Sequence, residues 1–367
     1  MSKKVAILGA GNGGCGFAGH LALKGFDVCL YEDPQFKSNI DEIIERGGID
    51  VSGKVEGFGR LSIASTNIED VVLGADIVMV VVPAFAQIIM MEKALPYLED
   101  GQVVVFNPDN FASLIFRRML DREGIDKDIK VAGTASLLYA CRRTGPAKVG
   151  IFYVKDLMYI AALPATDTDA VIQSLEDVYT QLVPARSVLE VSFGNVNYVL
   201  HCPTAVLNAG RIENTRGDFM FYWEGMTESV CRVMEEVDKE KIEVARGIGF
   251  SLMSAHDYLK NFYQAEKAGE NLHDFVTHSR AHGGRGPDAP KDLHYRYVSE
   301  DVPNGLVPIS LFGETVGVST PVIDSVITLS SVMNEVDYRK EGRTLKSMGL
   351  SGKSRIKILE LVEGGSR

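Results

Sequence analysis

Residues 5–14 read VAILGAGNGG, an apolar run that breaks into three glycines, Gly9, Gly11 and Gly14. The run has the length and composition of a buried β-strand. The glycines then predict a tight turn into a helix over roughly residues 13–24. A second apolar run through residues 28–31 follows, and it ends in an acid, Glu32. This stretch therefore predicts a strand, a glycine turn, a helix and a second strand.

The spacing of the glycines is typical of a dinucleotide-binding turn. Gly9 permits the tight turn, Gly11 lets the backbone approach a pyrophosphate, and Gly14 allows close contact between helix and strand. The start of the helix presents unpaired N–H groups and the positive end of a dipole, where pyrophosphate binds. The alternative is a tight turn in an unrelated α/β domain. We expect the cofactor to be held by Gly9, Gly11, Asn12, Gly13 and Gly14.

Glu32 bears on the choice of cofactor. A carboxylate about 20 residues after the glycines accepts hydrogen bonds from the ribose 2′-hydroxyl of NAD and repels the 2′-phosphate of NADP. No Arg or Lys follows it until Lys37. The alternative is a solvated acid at the end of a strand. The sequence favours NAD, in practice NADH, over NADP.

The first half of the chain alternates apolar runs with helical segments. Strands are expected at residues 77–82, 103–106 and 131–134 and twice within residues 148–164, and helices at residues 84–98, 111–123 and 167–182. Continuous apolar runs of this kind are typical of strands buried on both faces of a parallel sheet. The alternation therefore predicts an α/β fold with a Rossmann-type doubly wound parallel sheet.

Two of these strands end in residues that we expect near the cofactor. Ligands bind at the carboxyl ends of the strands in open α/β sheets. Val82 and Pro83 follow one strand and Asn107 follows the next, so all three are candidate cofactor contacts. Alternatively, the prolines at 83 and 108 only end the strands.

The character of the sequence changes after Val183 and Pro184. Apolar residues then recur mostly at spacings of three and four, which predicts a mainly α-helical domain. We draw the boundary near Arg186. Residues 1–186 are expected to form the dinucleotide-binding domain, and residues 187–367 a helical domain for substrate and catalysis.

Composition excludes several classes of protein. The net charge of −11 argues against nucleic acid or an anionic membrane as a partner. Five cysteines without a CxxC pair indicate neither a disulfide framework nor a zinc ribbon. The first strand begins too early for a signal peptide, and the apolar stretch at residues 77–86 is too short to cross a bilayer. These features predict a cytoplasmic protein.

His201 is the candidate acid/base group. It follows Asn197 by four residues and precedes Thr204 and Asn208 by three and seven, so a helix would place all four on one face. A buried polar face needs partners or a ligand. Thr204 and Asn208 are therefore candidate substrate contacts. The alternative is a core histidine whose hydrogen bonds are satisfied.

A second candidate cluster runs from residue 293 to residue 308. Arg296 can bind a carboxylate with two hydrogen bonds, and Asp301 can orient an imidazole. The alternative is a surface turn with an internal ion pair. Cys141 is a further candidate for the substrate pocket, while Arg142 and Arg143 beside it are expected to form a solvated basic turn.

The stretch from residue 266 to residue 294 is rich in Gly, His, Lys and Asp and predicts a long loop. His278 and His282 lie four residues apart, but the stretch has no acidic ligand pattern. We therefore expect no metal site.

As a whole the sequence resembles the octopine/nopaline, or opine, dehydrogenase family, most of all its bacterial members that act on N-(1-carboxyalkyl) amino acids. The resemblance extends over nearly the full chain. It rests on the stretches LGAGNGG, DIVMVVVPA, VVVFNPD, LLYACRR, NVNYVLHCPTAVLNAGR, EDVPNGLVPIS, TPVIDSVITL and DYRKEGRTLKSMGLSG.

The resemblance implies a Rossmann domain followed by a helical domain. It also implies an oxidoreductase that condenses an α-keto acid with the amine of an amino acid through an imine and reduces it with NAD(P)H. In the family a His–Asp pair is the acid/base and an Arg binds a substrate carboxylate. The matching positions here are His201, Asp301 and Arg296.

Two alternatives stay open. A 2-ketopantoate reductase or another hydroxyacid dehydrogenase of similar architecture would rely on a catalytic lysine, and a non-catalytic NAD-responsive sensor would lack the acid/base pair. The sequence does not name the amino acid or the keto acid. The apolar ends of the helical domain, such as residues 316–332, could serve a homodimer or equally the core.

Overall fold

The computed structural model describes residues 2–262, 269–278 and 289–364. These residues fall into two compact units. The first holds the chain up to Ser192 together with the residues from Leu361 onward, and the second holds Phe193–Glu360.

The first unit is built on two β-sheets. Its strands are β1 (Lys4–Leu8), β2 (Asp27–Tyr31), β3 (Gly48–Gly53), β4 (Gly57–Arg60), β5 (Ile63–Ser65), β6 (Ile77–Val80), β7 (Val103–Phe106), β8 (Lys130–Thr134), β9 (Tyr139–Gly145), β10 (Lys148–Val154), β11 (Met158–Leu163) and β12 (Leu182–Pro184). The main sheet has the order β12-β11-β8-β7-β6-β1-β2-β5, and the second sheet the order β4-β3-β10-β9.

The main sheet is parallel from β8 to β5, and β11 pairs with β8 in the antiparallel sense. The helices of this half of the chain are α1 (Asn12–Leu23), α2 (Asp41–Arg46), α3 (Ile68–Val72), α4 (Ala84–Ala94), α5 (Ala112–Arg122), α6 (Thr168–Leu175) and α7 (Val188–Phe193). Short 3₁₀ turns occupy Pro34–Asn39, Leu95–Tyr97 and Ala165–Asp167.

Successive side chains of β1 enter two different cores. Val5 and Ile7 pack in the cluster that contains α1 and α6, whereas Ala6 and Leu8 pack in the cluster that contains α3, α4 and α5. This follows from the two-residue period of a strand with helices on both faces. The predicted doubly wound fold is confirmed.

The second sheet was not foreseen from the sequence. It packs against α1, where two small residues permit close approach: a Cβ on Gly16 would meet the Cys141 side chain, and one on Gly19 would meet Val51. Its strand β4 reads GFGR, which lacks the apolar alternation that indicates a strand.

The helix expected over residues 167–182 is shorter than predicted. It ends at Leu175, because Val178 and Tyr179 turn into the core, and Leu182 already begins β12. The Tyr179 ring lies edge-on to Phe17 of α1, with ring centroids 5.8 Å apart.

The second unit is mainly helical, as expected. Its helices are α8 (Asn197–Leu207), α9 (Ala209–Thr215), α10 (Glu228–Ile248), α11 (Ala255–Phe262), α12 (Leu272–His278), α13 (Arg296–Ser299), α14 (Val307–Val316), α15 (Pro321–Asn334), α16 (Tyr338–Glu341) and α17 (Arg355–Glu363), the last of which runs on into the final segment of the chain. A π-helical turn, Val302–Leu306, precedes α14.

Helix α10 organises this unit through two buried acids. Asp238 accepts a hydrogen bond from the backbone N–H of Ala255 at the start of α11, and Glu240 accepts from Val322 and Ile323 at the start of α15. Carboxylates at helix N-termini satisfy N–H groups that have no partner within the helix.

The expected long loop at residues 266–294 is wrong for residues 272–278, which form α12. Residues 266–268 and 279–288, including His282, lie outside the described residues. No group of three or more His, Cys, Asp or Glu within the described residues could hold a metal ion. Among the described residues, no helix has both the length and the apolar character needed to cross a membrane.

Candidate functional site

The glycine turn between β1 and α1 has the geometry of a phosphate-binding turn. Gly9 has φ of +108°, which disfavours any other residue. A Cβ on Gly14 would overlap the carbonyl oxygen of Gly9, whereas a Cβ on Gly11 would meet nothing within 4 Å. The backbone at Gly11 is therefore open to a ligand, and the turn fits the pyrophosphate of a dinucleotide.

Glu32 is buried beside this turn. Its carboxylate accepts hydrogen bonds from the backbone N–H of Ala10 at 3.1 Å and of Asp33 at 2.9 Å, and from the amide of Asn39 at 3.1 Å. These contacts tie the end of β2 to the turn. The acid thus lies where the ribose of a dinucleotide is bound in folds of this kind.

Polar groups gather at the carboxyl ends of β7 and β8. The amide of Asn107 donates to the carbonyl of Val105 at 3.0 Å, and the Thr134 hydroxyl lies 3.3 Å from Asn107 Oδ1. Val82 and Pro83 follow β6. The Val82 side chain lies close to Gly9, since a Cβ on Gly9 would be 2.5 Å from Val82 Cγ1. The candidate cofactor residues therefore lie along one edge of the main sheet.

Strand β9 is attached to the glycine turn. The Cys141 thiol donates to the carbonyl of Asn12 at 3.2 Å, and the Arg143 backbone N–H donates to Asn12 Oδ1 at 2.9 Å. The Arg143 guanidinium donates to the carbonyl of Ala10 at 3.1 Å. The expected basic turn at Arg142 and Arg143 is therefore wrong, because both residues lie in a strand that faces the turn. Burial raises the pKa of the Cys141 thiol to about 12, so it remains protonated.

His201 and Asp301 form a buried pair in the helical unit. His201 lies on α8, so the predicted helix is present, and its Nδ1 is 2.7 Å from Asp301 Oδ2. The two side chains are 8% and 3% exposed. A carboxylate at this distance fixes the orientation and tautomer of the ring.

Aromatic side chains surround the imidazole. Tyr222 Oη lies 3.0 Å from His201 Nε2, and the Tyr297 ring stacks on the imidazole with centroids 4.0 Å apart. Phe221 packs on both tyrosines, at 5.4 Å from Tyr222 and 4.6 Å from Tyr297. Sequence reasoning missed these residues. Tyr297 lies next to Arg296 and could have been considered, but Tyr222 lies in a segment without periodicity.

Arg296 begins α13 and pairs with an acid one turn later. Its Nε lies 2.9 Å from Glu300 Oε2, and the side chain is 41% exposed while that of Glu300 is 2% exposed. Burial alone would lower the pKa of Arg296, but the carboxylates of Glu300 and Asp301 outweigh it and raise that pKa. The guanidinium is therefore charged and accessible.

Thr204 and Asn208 make hydrogen bonds to backbone. The Thr204 hydroxyl donates to the carbonyl of Leu200 at 2.6 Å within α8, and the side chain is fully buried. The Asn208 amide donates to the carbonyls of Thr204 and Gly225, each at 2.9 Å. Within the described residues, no hydrogen bond joins either group to the His201–Asp301 pair.

Two family models match the chain. That of the α-helical domain of NAD/NADP octopine/nopaline dehydrogenase matches residues 184–334, and that of the NAD-binding domain of 6-phosphogluconate dehydrogenase matches residues 4–109. The two matches fall on the helical segment and on the glycine turn with its sheet.

Whole proteins are similar over nearly the full length. The opine dehydrogenase of Arthrobacter sp. (strain 1C) is 36% identical over 365 residues, which cover 99% of each chain. The vitopine synthase of Allorhizobium ampelinum is 27% identical over 371 residues, again 99% of each chain. The structure of octopine dehydrogenase with NADH and agmatine has the same fold, with a TM-score of 0.77 and 20% identity over 100% of this chain and 99% of that one.

Proposed function

This chain belongs to the opine dehydrogenase family and is an NAD(H)-dependent dehydrogenase, and from that premise we propose that it condenses an α-keto acid with the amino group of an amino acid and that His201 handles the protons. The observation that carries the proposal is the buried pair of His201 Nδ1 and Asp301 Oδ2 at 2.7 Å. The overall reaction consumes keto acid, amine, NADH and a proton, and it yields a secondary amine, NAD⁺ and water.

His201 acts as the general acid and base. Formation of the imine releases the keto oxygen as water, and that oxygen must receive protons as its bond to carbon breaks. The protonated imidazole donates from Nε2, because Asp301 occupies Nδ1. In the reverse direction the neutral ring accepts the proton that the secondary amine loses. Such proton transfer typically contributes ~10²–10⁴-fold to the rate.

Arg296 binds the carboxylate of the keto acid. Its Nε forms an ion pair with Glu300, which anchors that side of the guanidinium and leaves the two terminal nitrogens for a ligand. A planar fork of this kind matches a carboxylate. Holding both reactants in position can itself lower the barrier by up to ~7–11 kcal/mol.

The first unit holds the cofactor, whose reduced nicotinamide supplies the hydride for the imine carbon. Gly9, Gly11, Asn12, Gly13 and Gly14 would hold its pyrophosphate, and Glu32 would bind its ribose. Val82, Pro83 and Asn107 line the edge of the sheet. The open space at Gly11 and the burial of Glu32 beside Ala10 support this assignment.

Three residues take supporting roles instead of contacting substrate. Cys141 donates to the carbonyl of Asn12 and steadies the glycine turn. Thr204 and Asn208 donate to backbone carbonyls and steady α8 and its C-terminal end.

An assay of NADH oxidation tests the function. Pyruvate and other α-keto acids are supplied with and without a panel of amino acids. Oxidation that requires both components is expected. Oxidation by the keto acid alone would instead identify a hydroxyacid dehydrogenase and overturn the proposal.

A pair of variants tests the acid/base assignment. His201→Asn is expected to lower kcat by at least 100-fold, within the usual range for loss of a general acid, with NADH affinity unchanged. His273→Asn, which changes a histidine of α12 in the same unit, is the matched control. Equal turnover of the two variants would remove His201 from the mechanism.

Cytoplasmic location and a homodimer stay predictions. The five cysteines are all free thiols, which agrees with a reducing compartment. Sedimentation of the purified chain measures its self-association.

A further inference from the structure

The Tyr222 hydroxyl is hydrogen-bonded to Nε2 of His201, the nitrogen that the proposed proton transfer uses. Asp301 takes Nδ1 of His201, and the Tyr222 hydroxyl lies 3.0 Å from Nε2. Both ring nitrogens are therefore hydrogen-bonded in this structure. A substrate that exchanges a proton with Nε2 must take the place of this hydroxyl.

The hydroxyl of Tyr222 is held from a second side. It forms a hydrogen bond with the hydroxyl of Tyr297, whose ring stacks on the imidazole at 4.0 Å and an interplanar angle of 26°. Phe221 packs edge-on against the Tyr222 ring at 5.4 Å. A chain thus runs from Asp301 through His201 and Tyr222 to Tyr297, and aromatic rings hold its outer end in place.

A phenol suits this position because it can both donate and accept. The neutral imidazole presents a lone pair at Nε2 and needs a donor, whereas the protonated imidazole presents an N–H and needs an acceptor. The hydroxyl serves either state by turning its hydrogen. Its hydrogen bond to the charged ring is stronger than that to the neutral ring, because hydrogen bonds to ionised groups are stronger than those between neutral groups.

We propose that Tyr222 is a positioning residue of the acid/base site. In the free enzyme its hydroxyl holds Nε2 of His201 in both protonation states, and it yields Nε2 to the substrate. Tyr297 keeps that hydroxyl aimed at the ring. The proposal rests on the proposed role of His201.

Loss of the Tyr222 hydroxyl removes the acceptor of the protonated ring. Among the described residues of the helical unit, Asp301 pairs with the imidazole, Arg296, Tyr297 and Cys202 interact electrostatically with Asp301, and Glu300 interacts with Arg296. Tyr222→Phe leaves all of them in place. Both protonation states lose a hydrogen bond at Nε2, but the charged form loses the stronger one. The titration midpoint of the imidazole is therefore expected to fall by about half a pH unit or more.

The free enzyme is titrated without substrate, with ¹⁵N-labelled histidine observed by NMR and the His201 signals assigned through His201→Asn. Tyr222→Phe is expected to shift the midpoint down. Tyr297→Phe should shift the midpoint less and in the same direction. This substitution leaves the Tyr222 hydroxyl in contact with Nε2 but removes the partner that keeps that hydroxyl in place. Tyr295→Phe is the matched control, since this exposed ring is edge-on to Tyr297 and its hydroxyl makes no hydrogen bond within the described residues.

Kinetics give a second readout once an active pair of keto acid and amino acid is known. The pH profile of kcat/KM reports the free enzyme, and that of kcat reports the complex with substrate. In the reductive direction Tyr222→Phe should move the basic limb of kcat/KM to lower pH and leave the limb of kcat in place. If both limbs move together, the hydroxyl is not displaced and that part of the proposal is wrong.

A midpoint within 0.2 pH unit of the parent in Tyr222→Phe, or an equal shift in Tyr295→Phe, overturns the proposal. Should Tyr222→Phe fail to fold, Tyr297→Phe carries the same test alone, and an unshifted midpoint there is decisive. Failure of the proposed function has a different signature. In that case His201→Asn keeps its turnover, whatever the tyrosine variants do to the imidazole.

Discussion

Asp301 Oδ2 lies 2.7 Å from His201 Nδ1, although a hundred residues separate the two in sequence. Both side chains are almost fully buried, so the carboxylate has lost most of its water and holds the ring by a hydrogen bond. A pair placed in this way fixes which nitrogen is left for proton transfer.

Asp301→Asn is therefore expected to lower kcat by 100-fold or more, in the range usual for a misplaced acid/base. The amide can present its NH₂ group to Nδ1 and so favour the wrong tautomer. NADH affinity, measured by fluorescence titration, should stay within twofold of the parent. Asp292→Asn changes an exposed acid of the same unit and is the control. A similar kcat in both variants would contradict the pairing as a catalytic device.

Much of this architecture follows from local sequence. The glycine turn, the acid after β2 and the buried runs of β6 and β7 are each specified by a few adjacent residues, so the Rossmann sheet and its helices could be predicted. The helical character of the second unit followed from the spacing of its apolar residues. Family membership, inferred from resemblance, is confirmed by the Arthrobacter relative.

Other features depend on contacts that no local pattern encodes. Strand β9 carries Cys141 and Arg143 against the glycine turn, a contact between residues about 130 positions apart. Tyr222 reaches His201 from an irregular segment, and Glu300 is buried by its pairing with Arg296. Such contacts appear only when the chain is folded.

Arg296→Lys is expected to raise KM for the keto acid about tenfold or more, equivalent to ~1.4 kcal/mol, with kcat less affected. The ammonium keeps the charge but loses the planar fork that grips a carboxylate. Lysine is preferred to an apolar residue, because Glu300 is buried and needs a cation beside it.

The control for this prediction is Arg232→Lys, on the exposed face of α10. Steady-state kinetics with the keto acid varied at saturating amine and NADH give the comparison. An unchanged KM in Arg296→Lys would show that another group binds the carboxylate.

Arg143→Gln is expected to weaken NADH binding about tenfold. Its guanidinium donates to the carbonyl of Ala10 at 3.1 Å and so braces the turn to which we assign the pyrophosphate. Loss of a hydrogen bond to a charged group costs ~1.5–3 kcal/mol. Part of this cost is expected to reduce the free energy of NADH binding. Turnover at saturating NADH should be close to that of the parent.

The neighbouring arginine supplies the matched control. Arg142 lies on the same strand but is exposed, since successive side chains of a strand face opposite sides. Arg142→Gln should leave the Kd for NADH within twofold of the parent in a fluorescence titration. Equal losses in the two variants would point to overall charge instead of the contact with Ala10.

Lys155 makes stability depend on pH in the first unit. The residue is only 7% exposed, and its ammonium donates to the Ser136 hydroxyl at 2.6 Å. Burial lowers the pKa of Lys155 to about 8. In the unfolded chain the pKa of a lysine is ~10.4.

Below pH 8 both states carry the proton, and the folded state bears the full cost of the buried charge. Between pH 8 and about pH 10.4 the unfolded chain binds a proton that the folded chain does not. Stability from this group therefore rises with pH across that window. Lys155→Met removes the charge and with it this dependence on pH. The free energy of unfolding of the variant minus that of the parent should therefore decrease by on the order of 2 kcal/mol between pH 7 and pH 10.

Urea unfolding of both proteins at pH 7, 8, 9 and 10 measures this difference. The change with pH depends only on the pKa of Lys155 in the folded and unfolded chains, and the folded value already includes its hydrogen bond to Ser136. Lys148→Met, at an exposed position of β10, is the control and should show a constant difference from the parent. A constant difference in Lys155→Met as well would mean that the Lys155 ammonium titrates in the folded protein as it does in water.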